Sequence, residues 1–234
     1  MVHDYTASLV SRKEVAPNIF HISFKLQDDG NFVFAPGQYL LLKVKDQYRQ
    51  FSISVYKESV RTFDLIIEYF ENGLASEYLK HLKIGELSEF KGPAGIFVQH
   101  EVARSIIYLA TGTGVAPILT MINSVVIKNR THPMFLFWGL PTKKDVYLED
   151  QLRNWSEKNQ LFRYAICLSK EKSIITKPLY KGHIQDNIKD IIGNTMLSNC
   201  DVYICGGKDA VVGLKEYALD NRVDAQRLYF ERFN

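Results

Sequence analysis

The hydrophobic period of this 234-residue chain changes once, near residue 100, and that change constrains the fold more than any other feature. Up to about residue 98 the period is two. Phe20, Ile22, Phe24 and Leu26 alternate with His21, Ser23 and Lys25, and Leu40, Leu42 and Val44 alternate with Leu41, Lys43 and Lys45. Phe63, Leu65, Ile67 and Tyr69 repeat the pattern. Successive strand residues point to opposite faces, so these runs read as half-buried antiparallel strands. Turn residues separate them: Asp28-Asp29-Gly30-Asn31, Ala35-Pro36-Gly37, Glu71-Asn72-Gly73 and Lys91-Gly92-Pro93. About six strands, with one helix-like insert at 76–82, predict a small closed antiparallel β-barrel.

Beyond residue 104 strands and helices alternate. Apolar runs predict strands at 105–110, 133–139, 161–168, 201–205 and 227–230. Between them, helical spacing predicts helices at 115–128, 146–158, 183–192 and 209–220. Five strands separated by helices make a doubly wound parallel sheet, ordered 3-2-1-4-5, with ligands beyond the carboxyl ends of its strands. Gln99-His100-Glu101 breaks the hydrophobic pattern, so the expected domains are 1–99 and 100–234.

The first strand of the second half runs into Ala110-Thr111-Gly112-Thr113-Gly114-Val115-Ala116-Pro117. Strand, glycine turn and helix in that order make an anion site, because glycine admits a close backbone approach and first-turn N–H groups face the anion. Pro117 suits a first turn, where its missing donor is not needed. No Gly-Lys-Ser/Thr follows, and Gly-x-Gly-x-x-Pro lacks the third glycine of the dinucleotide fingerprint. By itself the stretch fits a plain tight turn equally well. A second glycine turn, Cys205-Gly206-Gly207, ends the fourth strand, beside the first strand at the switch point of such a sheet.

In the first half, Arg49-Gln50-Phe51-Ser52 opens a strand. An arginine, an aromatic ring and a hydroxyl can hold a phosphate, a flat ring and a ring nitrogen. Gly73-Leu74-Ala75-Ser76 places a glycine turn before a helix, with Ser76 at the expected N-cap, a second candidate anion site or a plain cap.

The remaining totals mainly exclude. A net charge of +3 is too small to argue for nucleic acid or an anionic membrane. No apolar run approaches the roughly 20 residues that span a bilayer, and Met1-Val2-His3-Asp4-Tyr5 does not read as a secretory leader. Cys167, Cys200 and Cys205 support neither a disulfide framework, a zinc site nor a four-cysteine cluster, so no metal and a reducing, cytoplasmic setting are expected.

Together these elements resemble the ferredoxin–NADP⁺ reductase superfamily, in particular its compact two-domain NAD(P)H:flavin reductases and oxygenase reductases. Arg49 to Ser52 is similar to the family's Arg-x-Tyr/Phe-Ser flavin motif, and Pro36-Gly37-Gln38-Tyr39 to the segment preceding it. Gly73 to Ser76 resembles its pyrophosphate segment, Gly92-Pro93-Ala94-Gly95-Ile96-Phe97 its barrel end, and Thr111 to Pro117 its nicotinamide loop. Tyr203 to Gly207 and Glu231-Arg232-Phe233 are similar to its cysteine-glycine turn and its common ending.

The resemblance implies an FAD-binding barrel and an NAD(P)H-binding α/β domain. Arg49 is then expected on flavin phosphate, Phe51 on the isoalloxazine, Ser52 near N5 and Cys205 near nicotinamide C4. Ser52 and Glu231 become candidates for hydrogen bonding or proton relay. The acceptor is expected to be a separate electron-transfer protein, with release of free reduced flavin or a non-catalytic FAD-binding subunit as rivals. Phe51 stands where relatives carry tyrosine, Gly207-Lys208 where many carry proline, and no acidic residue follows Trp138-Gly139-Leu140. Ser169-Lys170 lies where NADPH-preferring relatives have Ser-Arg, which tilts toward tolerance of NADPH.

Overall fold

The computed structural model describes residues 2–27, 30, 32–101, 103–126, 131–173, 175–193 and 195–233. Asp28, Asp29 and Asn31 of the first expected turn, and the expected helix end at Lys128, lie outside the described residues. The chain divides into two compact units: residues 1–99 with Leu119–Met121, and His100–Ile118 with Ile122–Asn234.

The first unit is a closed barrel of β1 (His3–Ala16), β2 (Ile19–Leu26), β3 (Tyr39–Val44), β4 (Gln47–Lys57), β5 (Thr62–Glu68) and β6 (Leu87–Ala94), in the order β1-β2-β5-β4-β3-β6. Every neighbouring pair is antiparallel. β1 pairs with both β2 and β6, and its register shifts between Leu9 and Ser11 and between Glu14 and Ala16. Such bulges bend a strand and let one strand serve two neighbours in a closed sheet. Alternate residues point inward: Ile22, Phe24, Leu40, Leu42, Ile53, Phe63, Leu65 and Phe90 are fully or nearly fully buried. Phe90 meets Phe24 and Phe63 edge-on at 5.0 and 5.1 Å, the arrangement their quadrupoles favour. The insert α1 (Leu74–His81) joins β5 to β6 and buries Ser76 and Leu79. Arg12 of β1 donates to the carbonyls of Leu79 and Leu82, the latter at 2.9 Å, satisfying acceptors that the helix end leaves open.

The second unit is a parallel sheet ordered β10-β9-β8-β7-β11-β12, built from β7 (Ile106–Thr111), β8 (Met134–Leu140), β9 (Phe162–Leu168), β10 (Leu179–Lys181), β11 (Asp201–Gly207) and β12 (Leu228–Phe233). Its helices are α2 (Val115–Val126), α3 (Glu149–Lys158), α4 (Ile184–Ile192) and α5 (Lys208–Asp220). One face buries Ile107, Leu109, Phe135, Phe137, Val202 and Ile204 against Ile184, Ile188, Val211 and Leu214 of α4 and α5. The alternate residues Tyr108, Trp138 and Tyr203 are also fully buried, so the central strands are covered on both sides, as parallel sheets require.

Without β10 the order is the expected 3-2-1-4-5. The sheet carries a sixth strand that the five-strand expectation omits: Leu179–Lys181 pairs in parallel with Ile166 to Leu168. Three residues are too few to show a period, and Pro178 ahead of them argues against a strand in sequence. α3 begins at Glu149 rather than near 146. Lys143–Asp145 form a separate 3₁₀ turn, closed by a capping box between Thr142 and Asp145. β12 runs on to Phe233, which puts Glu231 inside a strand.

Candidate cofactor sites

In the barrel, Arg49 and Gln50 lie exposed on β4, opposite Leu42 and Leu41. The Arg49 guanidinium donates to the Tyr48 carbonyl at 2.9 Å and to Gln47 Oε1 at 2.6 Å. Local partners thus hold a fork of N–H donors at the protein surface. Phe51 is half-buried against the core cluster, on the same face as Ile53. Ser52 points to the other face, paired with Tyr39, and only 6% of it is exposed. Its Oγ is buried without a hydrogen-bond partner among the described residues. Ser54, two residues on, is satisfied by the Asp64 carbonyl at 2.9 Å. A buried hydroxyl left unmatched is costly, and its natural complement is a polar atom of a bound molecule.

The turn before β3 supports this edge. Gln38 accepts from Ala35 N–H at 2.8 Å and donates to the Gly95 carbonyl at 3.3 Å, and its own carbonyl accepts Ile53 N–H. Gly95 has φ +104°, and a Cβ there would stand 2.8 Å from the ring of Tyr39. The aromatic ring therefore lies against a position that only glycine fits.

The expected cap at Ser76 is corrected by the structure. Gly73 is the N-cap of α1 and Ser76 is its third helical residue. Ser76 Oγ accepts Phe70 N–H at 3.0 Å, and Gly73 N–H donates to the Phe70 carbonyl at 3.0 Å. Asn72, at φ +59°, makes the turn between them. The serine thus reaches back to order the loop instead of capping from outside. Leu74 and Ala75 occupy the first turn, whose N–H groups lack intrahelical acceptors.

In the second unit, Thr111 ends β7 and Gly112–Gly114 form a 3₁₀ turn that runs directly into α2. Thr111, Gly112 and Thr113 are half-exposed, whereas Gly114 and Pro117 are buried. Gly112 has φ +53° with open space where a Cβ would stand. Gly114 is the reverse: a Cβ there would collide with the Cys205 carbonyl. Gly206, at φ +155°, sits against Thr111 Oγ1 just as closely, and Gly207 faces open space. The two glycine turns expected at the switch point are therefore seated against one another. A cleft of about 320 Å³ opens beside them, lined among others by Thr111, Gly112, Gly139, Ser169, His183 and Gln185.

Cys205 is fully buried, and burial first, then the nearby Glu231 charge, push its thiol well above the ordinary range. Cys205 and Glu231 are register partners on β11 and β12. Burial therefore favours the neutral thiol of Cys205 over its thiolate. Cys167 lines the cleft, and its burial pushes it up to about 12. His183 precedes α4 in a capping box with Asp186. Sequence reasoning did not single out His183, Gln185 or the role of Trp138 described below. No short-range pattern marks them, because the sheet order alone brings them to the loop.

Residues 6–99 match the oxidoreductase FAD-binding domain family model, and residues 108–213 match the oxidoreductase NAD-binding domain model. The chain belongs to the ferredoxin–NADP⁺ reductase superfamily. It is an NAD(P)H-dependent flavoprotein reductase with FAD and NAD(P)H as cofactors. It is 28% identical over 235 residues to the toluate 1,2-dioxygenase electron transfer component of Pseudomonas putida, covering 98% of this chain and 67% of that protein. It is 25% identical over 238 residues to ferredoxin–NADP reductase B of Sorangium cellulosum, covering 98% of both. The fold is shared with the Amycolatopsis cytochrome P450 reductase GcoB, with TM-score 0.89, 20% identity and coverage of 99% of this chain and 70% of that one. The described residues fit the cofactors: an unmatched buried hydroxyl at Ser52, a helix N-terminus behind Gly73, and a glycine turn open at Gly112. Among the described residues, no helix is long and apolar enough to cross a membrane.

Proposed function

We propose that this protein takes hydride from NAD(P)H onto a tightly held FAD and delivers electrons to a separate acceptor protein. The observation that carries the reading is the buried, unmatched Ser52 Oγ on a strand that also presents Arg49. Residues 1–99 form the FAD domain in this reading and residues 100–234 the NAD(P) domain. When bound, FAD supplies the redox chemistry, accepting a hydride and releasing electrons singly.

The chain's own residues bind and orient. Arg49 holds phosphate with a charge-assisted fork, Gln50 flanks it, and Phe51 packs on the isoalloxazine. Ser52 donates to the flavin at N5 and so acquires the partner it otherwise lacks. Gly73, Leu74, Ala75 and Ser76 bring the N-terminus of α1 to the pyrophosphate. Thr111, Gly112, Thr113, Gly114 and Pro117 form the dinucleotide loop, and Cys205, Gly206 and Gly207 border the nicotinamide. Glu231, the register partner of Cys205, serves in this reading as a hydrogen-bonding or proton-relay group. A separate acceptor is supported by relatives that are electron-transfer or reductase components of dioxygenases.

Desalting the protein after FAD loading tests this reading. Retained flavin that is reduced by NAD(P)H and reoxidised by an added one-electron acceptor protein supports it. Activity that depends on continuously added free flavin, with none retained, contradicts it in favour of a free-flavin reductase.

A further inference from the structure

Trp138 is fully buried near the end of β8, paired in register with Ala110. Its indole Nε1–H donates to the carbonyl of Gly112 at 2.9 Å. The ring of Tyr147 meets the indole edge-on, with centroids 4.8 Å apart and planes at 88°. A buried tryptophan needs an acceptor for its single N–H, and this one takes it from the glycine turn itself.

Gly112 is the point at which that turn could fail. It sits at φ +53° with nothing within 4 Å of a Cβ position, so no neighbour crowds its Cα on that side and its left-handed conformation depends on what its peptide groups bond. Glycine crosses between left- and right-handed regions at little cost. In a trans peptide the carbonyl of one residue and the N–H of the next point in opposite directions. Fixing the Gly112 carbonyl on Trp138 therefore turns the Thr113 N–H away from the core. That N–H opens the helical segment leading into α2, where donors lack intrahelical acceptors and favour an anion.

We propose that Trp138 is a positioning residue for dinucleotide binding: its N–H locks the Gly112–Thr113 peptide so that the Thr113 donor faces the bound phosphate. The inference rests on the loop 111–117 being the dinucleotide loop, as proposed above. It assigns to a residue outside that loop the control of the loop's hydrogen-bonding direction.

The experiment uses the FAD-loaded protein in a Trp155→Phe background, so that Trp138 is the remaining tryptophan. Trp138 is replaced by β-(3-benzothienyl)alanine, which keeps the bicyclic shape and removes the N–H, and separately by Phe. NADP⁺ and NAD⁺ affinities are measured by titration calorimetry, FAD affinity by fluorescence, and amide hydrogen exchange of residues 111–115 without nucleotide. We expect dinucleotide binding about tenfold weaker in both variants, the scale of one lost hydrogen bond. FAD affinity stays unchanged and exchange in 111–115 is faster. Unchanged dinucleotide affinity in the benzothienyl variant overturns the proposal, whatever the Phe variant does. If the parent binds neither dinucleotide, the loop assignment itself falls, which separates that failure from this one.

Discussion

Gly114 is seated against the main-chain carbonyl of Cys205, so that the turn after β7 and the end of β11 touch where any side chain at 114 would collide. The contact explains why a strand–turn–helix that is ordinary by itself acquires a defined shape here. It also sets apart two glycines of neighbouring loops, because Gly207 has open space at its Cβ position.

Gly114→Ala is therefore expected to destabilise the second unit by about 1–3 kcal/mol, through overpacking against backbone. NAD(P)H-dependent flavin reduction should be lost with it. Gly207→Ala should cost less, no more than about 1 kcal/mol, because the position is open and only the N-cap preference for glycine over alanine is lost. Urea unfolding followed by the tryptophan signal checks both, and equal effects at the two positions would contradict the packing argument.

Arg49→Ala should weaken FAD binding by roughly 1.5–3 kcal/mol, the worth of a hydrogen bond to a charged group. That corresponds to a dissociation constant raised at least tenfold, read by flavin fluorescence titration. A variant that purifies with full flavin and unchanged affinity would remove Arg49 from the site.

Cys205→Ala should slow reduction of bound FAD by NAD(P)H while sparing FAD binding, measured by anaerobic stopped flow. Because burial holds the Cys205 thiol far above neutrality, its neutral form persists through the physiological range. The native protein should accordingly resist alkylation at Cys205 near pH 8, as peptide mapping would show. Rapid labelling there would contradict the burial.

Asp64, 3% exposed on β5, receives His21 Nε2 at 3.2 Å. Burial favours its protonated form, but hydrogen bonds from His21 and Ser23, with the His21 and Lys57 charges, outweigh burial and lower its pKa. A depressed carboxylate stabilises the fold above its unfolded pKa of about 3.9 and loses that contribution as pH falls through the lower folded value. Asp64→Asn should cost about 1–3 kcal/mol at pH 7, a difference that shrinks below pH 4. Urea midpoints across pH check this, and a gap that persists undiminished well below pH 4 would contradict it.

Much of this molecule is legible in its sequence, because the period switch near residue 100 is carried by dozens of residues at once. Phe20 to Leu26 and Phe63 to Tyr69 announce barrel strands, and Ile106 to Ala110 a buried parallel one. What escapes is short or long-range. β10 has three residues, too few for any period. Ser76 sits where caps are common, yet a glycine at 73 takes the cap and frees the serine to bond Phe70. The bond from Trp138 to Gly112 spans 26 residues and exists only because β7 and β8 are neighbours. Arg49 to Ser52 are legible as residue types suited to a phosphate and a flat ring, but the unmatched Ser52 hydroxyl appears only once β4 is placed against β3.

Anaerobic titration of the FAD-loaded protein with NADPH, and separately with NADH, tests the central claim most directly. The flavin's visible band should bleach, completely near one equivalent of the preferred nucleotide. A protein that holds FAD yet stays fully oxidised with an excess of either nucleotide would contradict it.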